Sequence, residues 1–378
     1  MKPTRRRLAV LLISLALGTR LSAQADDLPA LDAISIQNRP GFVEAVQKIA
    51  SGSEKEGVED LLAIEKQYGT DPDVYILLYN VACGYARRRE VDPALEWLTA
   101  AVDKGYGIHP NQVERLRLDA DLASLQGEPR HDKILATAQA RLKKLAEEIE
   151  TLRAPVLIAP RDLKEGEKLP VLIVCHPYGS SPARFVEYFR SFAEAQRIVV
   201  AAPCGSRLIA PDHWAWAMSS ADFAEHFRMD HREMLDALTL CRNRYPIDER
   251  RIYVSGLGQG AALAFAYVVR NPQQVRGGVV FNGAYSPRSL QDWLPVCVEH
   301  GRRVVWVQGR FNQIYPSEEV VAGLLELQGS GLKIDLRELD ADHGLPPDLN
   351  DELVRALKWI DGTDGTDGKE RPPGGGGR

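Results

Sequence analysis

The chain has 378 residues, of which 44% are hydrophobic and 26% charged, with a net charge of −5. These are values of a globular chain long enough for two domains. Lys2, Arg5, Arg6, Arg7 and Arg20 meet no acid within residues 1–25, so the rest of the chain carries −10; an acidic body without a basic stripe excludes nucleic acid as a partner.

Residues 1–25 read as a cleavable signal peptide. "MKPTRRR" is a positive start, "LAVLLISLALG" an apolar run of eleven residues, and "AQA" at 23–25 a small-x-small cleavage site. A periplasmic or secreted location is therefore expected. No later segment reaches the roughly 18 apolar residues of a membrane span.

Residues 26–150 are predicted to be helical, with apolar positions recurring at three and four. Within them Ala82, Tyr85, Ala94, Leu98 and Ala101 are spaced so that small residues let two antiparallel helices approach while Tyr85 and Leu98 fill the gap. That spacing resembles a tetratricopeptide repeat. A lone repeat cannot bury both of its faces, so it is expected to dock on its neighbours or on the next domain, and the helical domain is a candidate surface for a protein partner.

From 151 to 361 the period changes. "PVLIAP", "PVLIVCHP", "RIVVAAP", "RIYVSG", "GGVVFNG", "RVVWVQG" and "KIDLREL" are short apolar runs separated by helical stretches. This is the pattern of a doubly wound, mostly parallel sheet covered on both faces. The tail 362–378, rich in glycine and proline, is expected to be disordered. The five cysteines are read as small buried apolar residues, since none has paired metal-binding spacing. No metal is expected, because the eight histidines show no H-E-x-x-H spacing, and no cofactor.

"YPIDERRIYVSGLGQGAALA" is a strand, a glycine turn and a small-residue helix, and "VCHPYGSS" is a loop after an early strand. Together with "VVWVQGRFNQIYP" and "LRELDADHGLPP", they resemble secreted α/β-hydrolase-fold esterases of the polyhydroxybutyrate-depolymerase, feruloyl-esterase and dienelactone-hydrolase type. The resemblance spans 154–361. It implies a nucleophile elbow at Gly256–Gly260, a triad acid position at 312 and a triad histidine at 343, with oxyanion donors from the backbone of Gln259 and Tyr178.

Two of those positions depart from the pattern. Gly258 stands where the serine belongs, and Asn312 where the carboxylate belongs; His343 is retained. Loss of the nucleophile costs on the order of 10⁶ in rate. An amide at the acid position costs roughly 10⁴, through a lost imidazolium partner and the wrong tautomer. Pro177 replaces the first glycine of the oxyanion loop and brings no N–H. His176, Ser180, Trp214, Trp216 and Asp342 are candidate cleft residues, and Ser181, Ser255, Cys204 and Asp340 are weaker substitutes for the missing groups.

The leading expectation is a pseudo-hydrolase that binds a small ester or carboxylate in the old cleft, or a protein through its helical domain. The rival is a working ester hydrolase with a rearranged nucleophile.

Overall fold

A computed structural model of the chain describes residues 35–217, 223–284 and 290–364. The expected signal peptide and most of the tail lie outside the described residues.

Among the described residues six α-helices come first: α1 (Phe42–Ala50), α2 (Glu54–Tyr68), α3 (Tyr75–Arg87), α4 (Val91–Lys104), α5 (Pro110–Leu118) and α6 (Pro129–Leu152). Ala82, Ala94, Leu98 and Ala101 are fully buried, while Tyr85 sits half-buried at the edge of the same cluster. Gly84 lets α3 lie against α2; a Cβ there would come within 2.3 Å of a Val58 methyl. That intimacy offsets the roughly 1 kcal/mol that glycine costs inside a helix.

The second part is a seven-stranded sheet. Its strands are β1 (Val156–Ile158), β2 (Leu169–Cys175), β3 (Val199–Ala202), β6 (Ile247–Leu257), β7 (Gly277–Phe281), β8 (Arg303–Gly309) and β9 (Lys333–Leu339), in the order β1-β3-β2-β6-β7-β8-β9. Only β1 runs antiparallel to its neighbour. Around them lie α7 (Pro182–Phe185), α8 (Arg190–Gln196), α9 (Phe223–Arg244), α10 (Gln259–Arg270), α11 (Leu294–Glu299), α12 (Ser317–Gly329) and α13 (Leu349–Asp361). Alternate residues of β2 feed opposite faces: Val171, Ile173 and Cys175 enter one core, Leu172 and Val174 the other. That period of two explains why the strand reads as unbroken apolar sequence.

The register fixes where a site can form. Cys175 pairs with Gly256, Leu257 with Phe281 and Phe281 with Val307, and Gly309 pairs with Leu339. The loops after β2, β6, β7, β8 and β9 therefore share one edge of the sheet. The chain moves outward from β2 to β3 and then returns to β6 on the other side of β2, so the crevice at that edge lies at the topological switch point.

A hairpin, β4 (Arg207–Ala210) with β5 (His213–Ala215), is an element that the sequence pattern did not announce. It joins the two parts of the molecule. Cys204, Leu208, Ala210 and Trp214 belong to the same core cluster as the helices, and the Tyr75 hydroxyl donates to the Ile209 carbonyl. Trp214 thus packs into the helical core, while Trp216 belongs to the sheet core. Neither tryptophan walls an open pocket: an alternating pair on a strand end buries both side chains when each face of the hairpin is covered.

Gly260 permits the closest approach in the sheet part. A Cβ on it would stand 2.1 Å from the Cys175 carbonyl oxygen and 2.5 Å from that of His176. Neither is a flexible side chain that can step aside. Gly260→Ala is expected to lower unfolding stability by at least about 3 kcal/mol, whereas Gly127→Ala, with open space around its Cβ, is expected to cost about 1 kcal/mol for its left-handed backbone alone. Urea midpoints of the two variants check the contrast.

Candidate functional site

The turn between β6 and α10 is set by backbone sterics. Gly258 has φ 57° and ψ −117°, a region closed to side chains except under strain. Its N–H donates to the Phe281 carbonyl at 3.1 Å and its carbonyl accepts from Ala262 at 3.2 Å. A Cβ built on Gly258 points at the His343 ring, 3.0 Å from Nε2 and 3.2 Å from Cε1, with a Pro177 ring carbon at 3.8 Å. Two residues 85 positions apart in sequence thus meet in the way that a nucleophile and its base would.

His343 is 7% exposed. Its Nδ1 lies 3.3 Å from Asn312 Oδ1. That oxygen also accepts the backbone N–H groups of Ile314 (3.0 Å) and Tyr315 (3.1 Å), so it must be the oxygen and not the amide nitrogen that faces the ring. Nδ1 then carries the ring proton, and the Nε2 lone pair faces residue 258. The expected tautomer defect of an amide at 312 is therefore corrected by the structure: the two backbone donors hold Asn312 in the orientation that keeps the ring in its productive tautomer. What the amide lacks is charge. Burial pushes the His343 pKa down to about 4, opposed by the nearby Asp342 carboxylate.

Asn282 completes the network, and the sequence reading missed it. It follows β7 in a left-handed conformation, φ 48°. Its Oδ1 accepts from Gly309 N–H (2.7 Å) and from Asn312 Nδ2 (3.2 Å), and its Nδ2 donates to the Gly344 carbonyl at 2.7 Å. One side chain thereby ties the loops after β8 and β9 together. The available signal was an Asn-Gly pair closing an apolar strand, a favoured left-handed site.

Other candidates hold the loops in place. His176 is fully buried; its Nδ1–H donates to the Pro177 carbonyl at 2.8 Å, and Nε2 accepts from Gly205 N–H at 2.9 Å. Burial lowers its pKa to about 4. Trp216 stacks on it at 4.8 Å and donates Nε1–H to its carbonyl. Ser180 is bridged through its backbone to Trp214. The Gln259 side-chain amide pairs with the Trp216 backbone at 2.9 and 3.1 Å. The Tyr178 hydroxyl reaches across to Asp73, 2.9 Å away in the helical part; Asp73 also accepts from Ser35 Oγ and Ile36 N–H. The backbone N–H groups of Tyr178 and Gln259 have no hydrogen-bond partner among the described residues.

Among the described residues no serine, threonine or cysteine side chain hydrogen-bonds to His343; the Tyr315 ring packs tilted against it, with centroids 5.8 Å apart. Ser255 Oγ and Ser181 Oγ are enclosed without a hydrogen bond. Cys204 is buried in the helical core, where burial raises its pKa. Asp342 accepts its neighbour's backbone N–H at 2.8 Å rather than the ring, and Asp340 pairs with Arg310 at 2.6 Å. All five cysteines are free and buried. Among the described residues no group of three His, Cys, Asp or Glu side chains could hold a metal ion, and no helix is long and apolar enough to cross a membrane.

The two depressed histidines set an acid limit. Unfolded histidines take up a proton near pH 6.5, while His176 and His343 resist until about 4. Between those values the unfolded chain binds more protons, so stability is full above 6.5 and drains as pH falls toward 4. Each group is expected to contribute about 3 kcal/mol to the loss. Urea unfolding at pH 7 and pH 4.5 measures it, and His343→Gln is expected to remove about half of the slope.

The family described as phospholipase/carboxylesterase matches residues 162–301, which hold the oxyanion-type loop and the elbow but stop short of Asn312 and His343. Solved structures that the chain resembles include an uncharacterized protein from Bacillus cereus ATCC 10987, at 17% identity over 85% of this chain and 97% of that one, with a TM-score of 0.44. A carboxylesterase from Bacillus cereus matches at 15% identity over 58% and 99%, TM-score 0.43. Zea mays acyl-protein thioesterase 2 matches at 16% over 56% and 99%, TM-score 0.43. No curated protein matches the chain.

Proposed function

We propose that this chain, whose sheet domain is an α/β-hydrolase-like esterase domain, is a catalytically vacated member of that group, exported from the cytoplasm and acting by binding. The observation that carries the reading is the empty Cβ position of Gly258, 3.0 Å from the His343 Nε2 lone pair. A general base is in place, and among the described residues no serine, threonine or cysteine side chain hydrogen-bonds to it. The reading takes residues 1–25 as a signal peptide, 26–150 as a tetratricopeptide-like helical domain and 151–361 as the sheet domain. The helical domain offers the surface for any protein partner, and its Asp73 clamps the loop that carries Tyr178.

Serine at 258 would have to adopt φ 57° and displace the His343 ring by a few tenths of an ångström. Such strain is stored at working active sites at a cost of about 1–3 kcal/mol. Glycine removes both burdens, which is the direction a site drifts once turnover no longer matters.

The amide at 312 is not reverted so simply. A carboxylate there would set an acceptor against Asn282 Oδ1, where Asn312 Nδ2 now donates at 3.2 Å. Asn282 cannot turn round, because Gly309 N–H and the Gly344 carbonyl hold both of its ends. Gly258→Ser alone is therefore the informative variant. With an uncharged partner for its base it is expected to react, though roughly 10⁴-fold below an intact triad.

A fluorophosphonate probe tests the proposal. The natural chain is expected to stay unlabelled and Gly258→Ser to label slowly, with the label lost when His343→Ala is added. Labelling of the natural chain that depends on His343 would favour the rival, a hydrolase with a rearranged nucleophile. A folded Gly258→Ser protein that never labels would remove the claim that this is a vacated hydrolase site.

A further inference from the structure

A cavity of about 620 Å³ lies in the helical part, between the start of α2, the end of α3, the start of α4 and the 3₁₀ helix Ala120–Leu125. Its size is that of small-molecule sites. Ala86, Val91, Ala120 and Ala123 give it an apolar lining. Ser124, also in the wall, has its hydroxyl committed to the Ala86 carbonyl at 2.6 Å. The remaining lining residues, Glu54, Arg87, Arg89 and Asp121, are charged, and their charges are unevenly paired.

Arg87 serves two carboxylates: Nε donates to Glu54 Oε1 at 3.0 Å and Nη1 to Asp121 Oδ1 at 2.8 Å. One guanidinium between two carboxylates leaves one negative charge in excess. Arg89 is the converse. Its exposed side chain has no hydrogen bond or ion pair among the described residues. The acids next to it in sequence are already taken, Glu90 by Arg88 at 2.5 Å and Asp92 by Arg130. Arg89 also stands at the turn that closes α3, with φ 62°; its N–H donates to the Ala86 carbonyl and that of Glu90 to the Tyr85 carbonyl. Glycine meets that left-handed conformation without strain and arginine does not, so the turn does not explain the side chain. Two residues further on, α4, a helix of 14 residues, begins at Val91 without a side-chain cap, and its first-turn N–H groups add partial positive charge.

We propose that this cavity binds a zwitterion of the amino-acid type, a free amino acid or a short peptide. Its carboxylate pairs with Arg89, its ammonium with Glu54 and Asp121, and its apolar body lies along the alanines and Val91. A plain carboxylate satisfies Arg89 but faces the excess negative charge. A plain amine satisfies the acids and leaves Arg89 unpaired. A ligand that carries both charges answers both, and the fork of the guanidinium fixes which way round it lies. The site shares no residue with the elbow.

The test is a backbone-amide NMR titration of the full natural chain at pH 7 with trialanine and alanine, and with the amide and the N-acetyl form of each. At least one of the two zwitterions is expected to shift the Arg89, Val91 and Asp121 resonances saturably; tighter binding of trialanine identifies a peptide as the occupant, and tighter binding of alanine a free amino acid. Masking either charge of that ligand is expected to raise Kd at least about tenfold. Arg89→Gly suits the left-handed turn, so it is expected to melt no lower than the natural chain, to raise Kd at least about tenfold and to erase the discrimination against the amide. Glu54→Gln combined with Asp121→Asn is expected to erase the discrimination against the N-acetyl form. The proposal is overturned by the absence of a saturable shift at these residues with either zwitterion, by an amide or N-acetyl form that binds as tightly as its parent, or by natural affinity in folded Arg89→Gly.

Discussion

The site depends on the hydrogen-bonding valence of one amide oxygen. Asn312 Oδ1 takes two backbone N–H groups from its own loop and faces the ring of His343. Because those backbone donors cannot turn into acceptors, the orientation of the side chain is fixed, and with it the tautomer of the imidazole. A carboxylate would hold the ring the same way and would also favour its charged form. The amide keeps the geometry and discards the charge. That division accounts for a histidine that is well placed as an acceptor and yet stays neutral through the physiological range.

Around that oxygen, the fold spends little on side chains and much on close backbone approach. Gly256 and Gly260 bring the start of α10 against the ends of β2 and β6, and Gly258 turns the chain through a conformation that would strain any other residue. The elbow is therefore a property of the backbone. It survives the loss of its serine because nothing in its packing required one. His176 and Trp216 brace the adjoining loop from the sheet side, and Asp73 braces it from the helical side through Tyr178. The two parts of the molecule thus meet at the loop that carries Tyr178.

Much of this was legible in the sequence because it is local. Apolar strand runs, the glycines of the elbow and the loop histidine all lie within short windows, and the alternation of strand and helix patterns pointed to a mostly parallel sheet. The rest depends on contacts that no window contains. Asn282 acts only through Gly309, Asn312 and Gly344, so its Asn-Gly pair looked like the end of a strand. Tyr178 and Asp73 are 105 positions apart. Trp214 and Trp216 alternate as cleft-lining residues would, but a hairpin covered on both faces buries alternate residues just as well. The orientation of the Asn312 amide depends on donors that appear only when residues 312–315 form a tight turn, which is why the sequence suggested the wrong tautomer.

The most direct measurement is the protonation of His343 by multiple-bond ¹⁵N NMR at pH 7, with His343→Gln used to assign its signals. The expected result is a neutral ring with its proton on Nδ1 and a bare Nε2. An imidazolium, or a neutral ring protonated on Nε2, would mean that Asn312 does not hold the ring as described, and the account of a vacated but polarised site would fail with it.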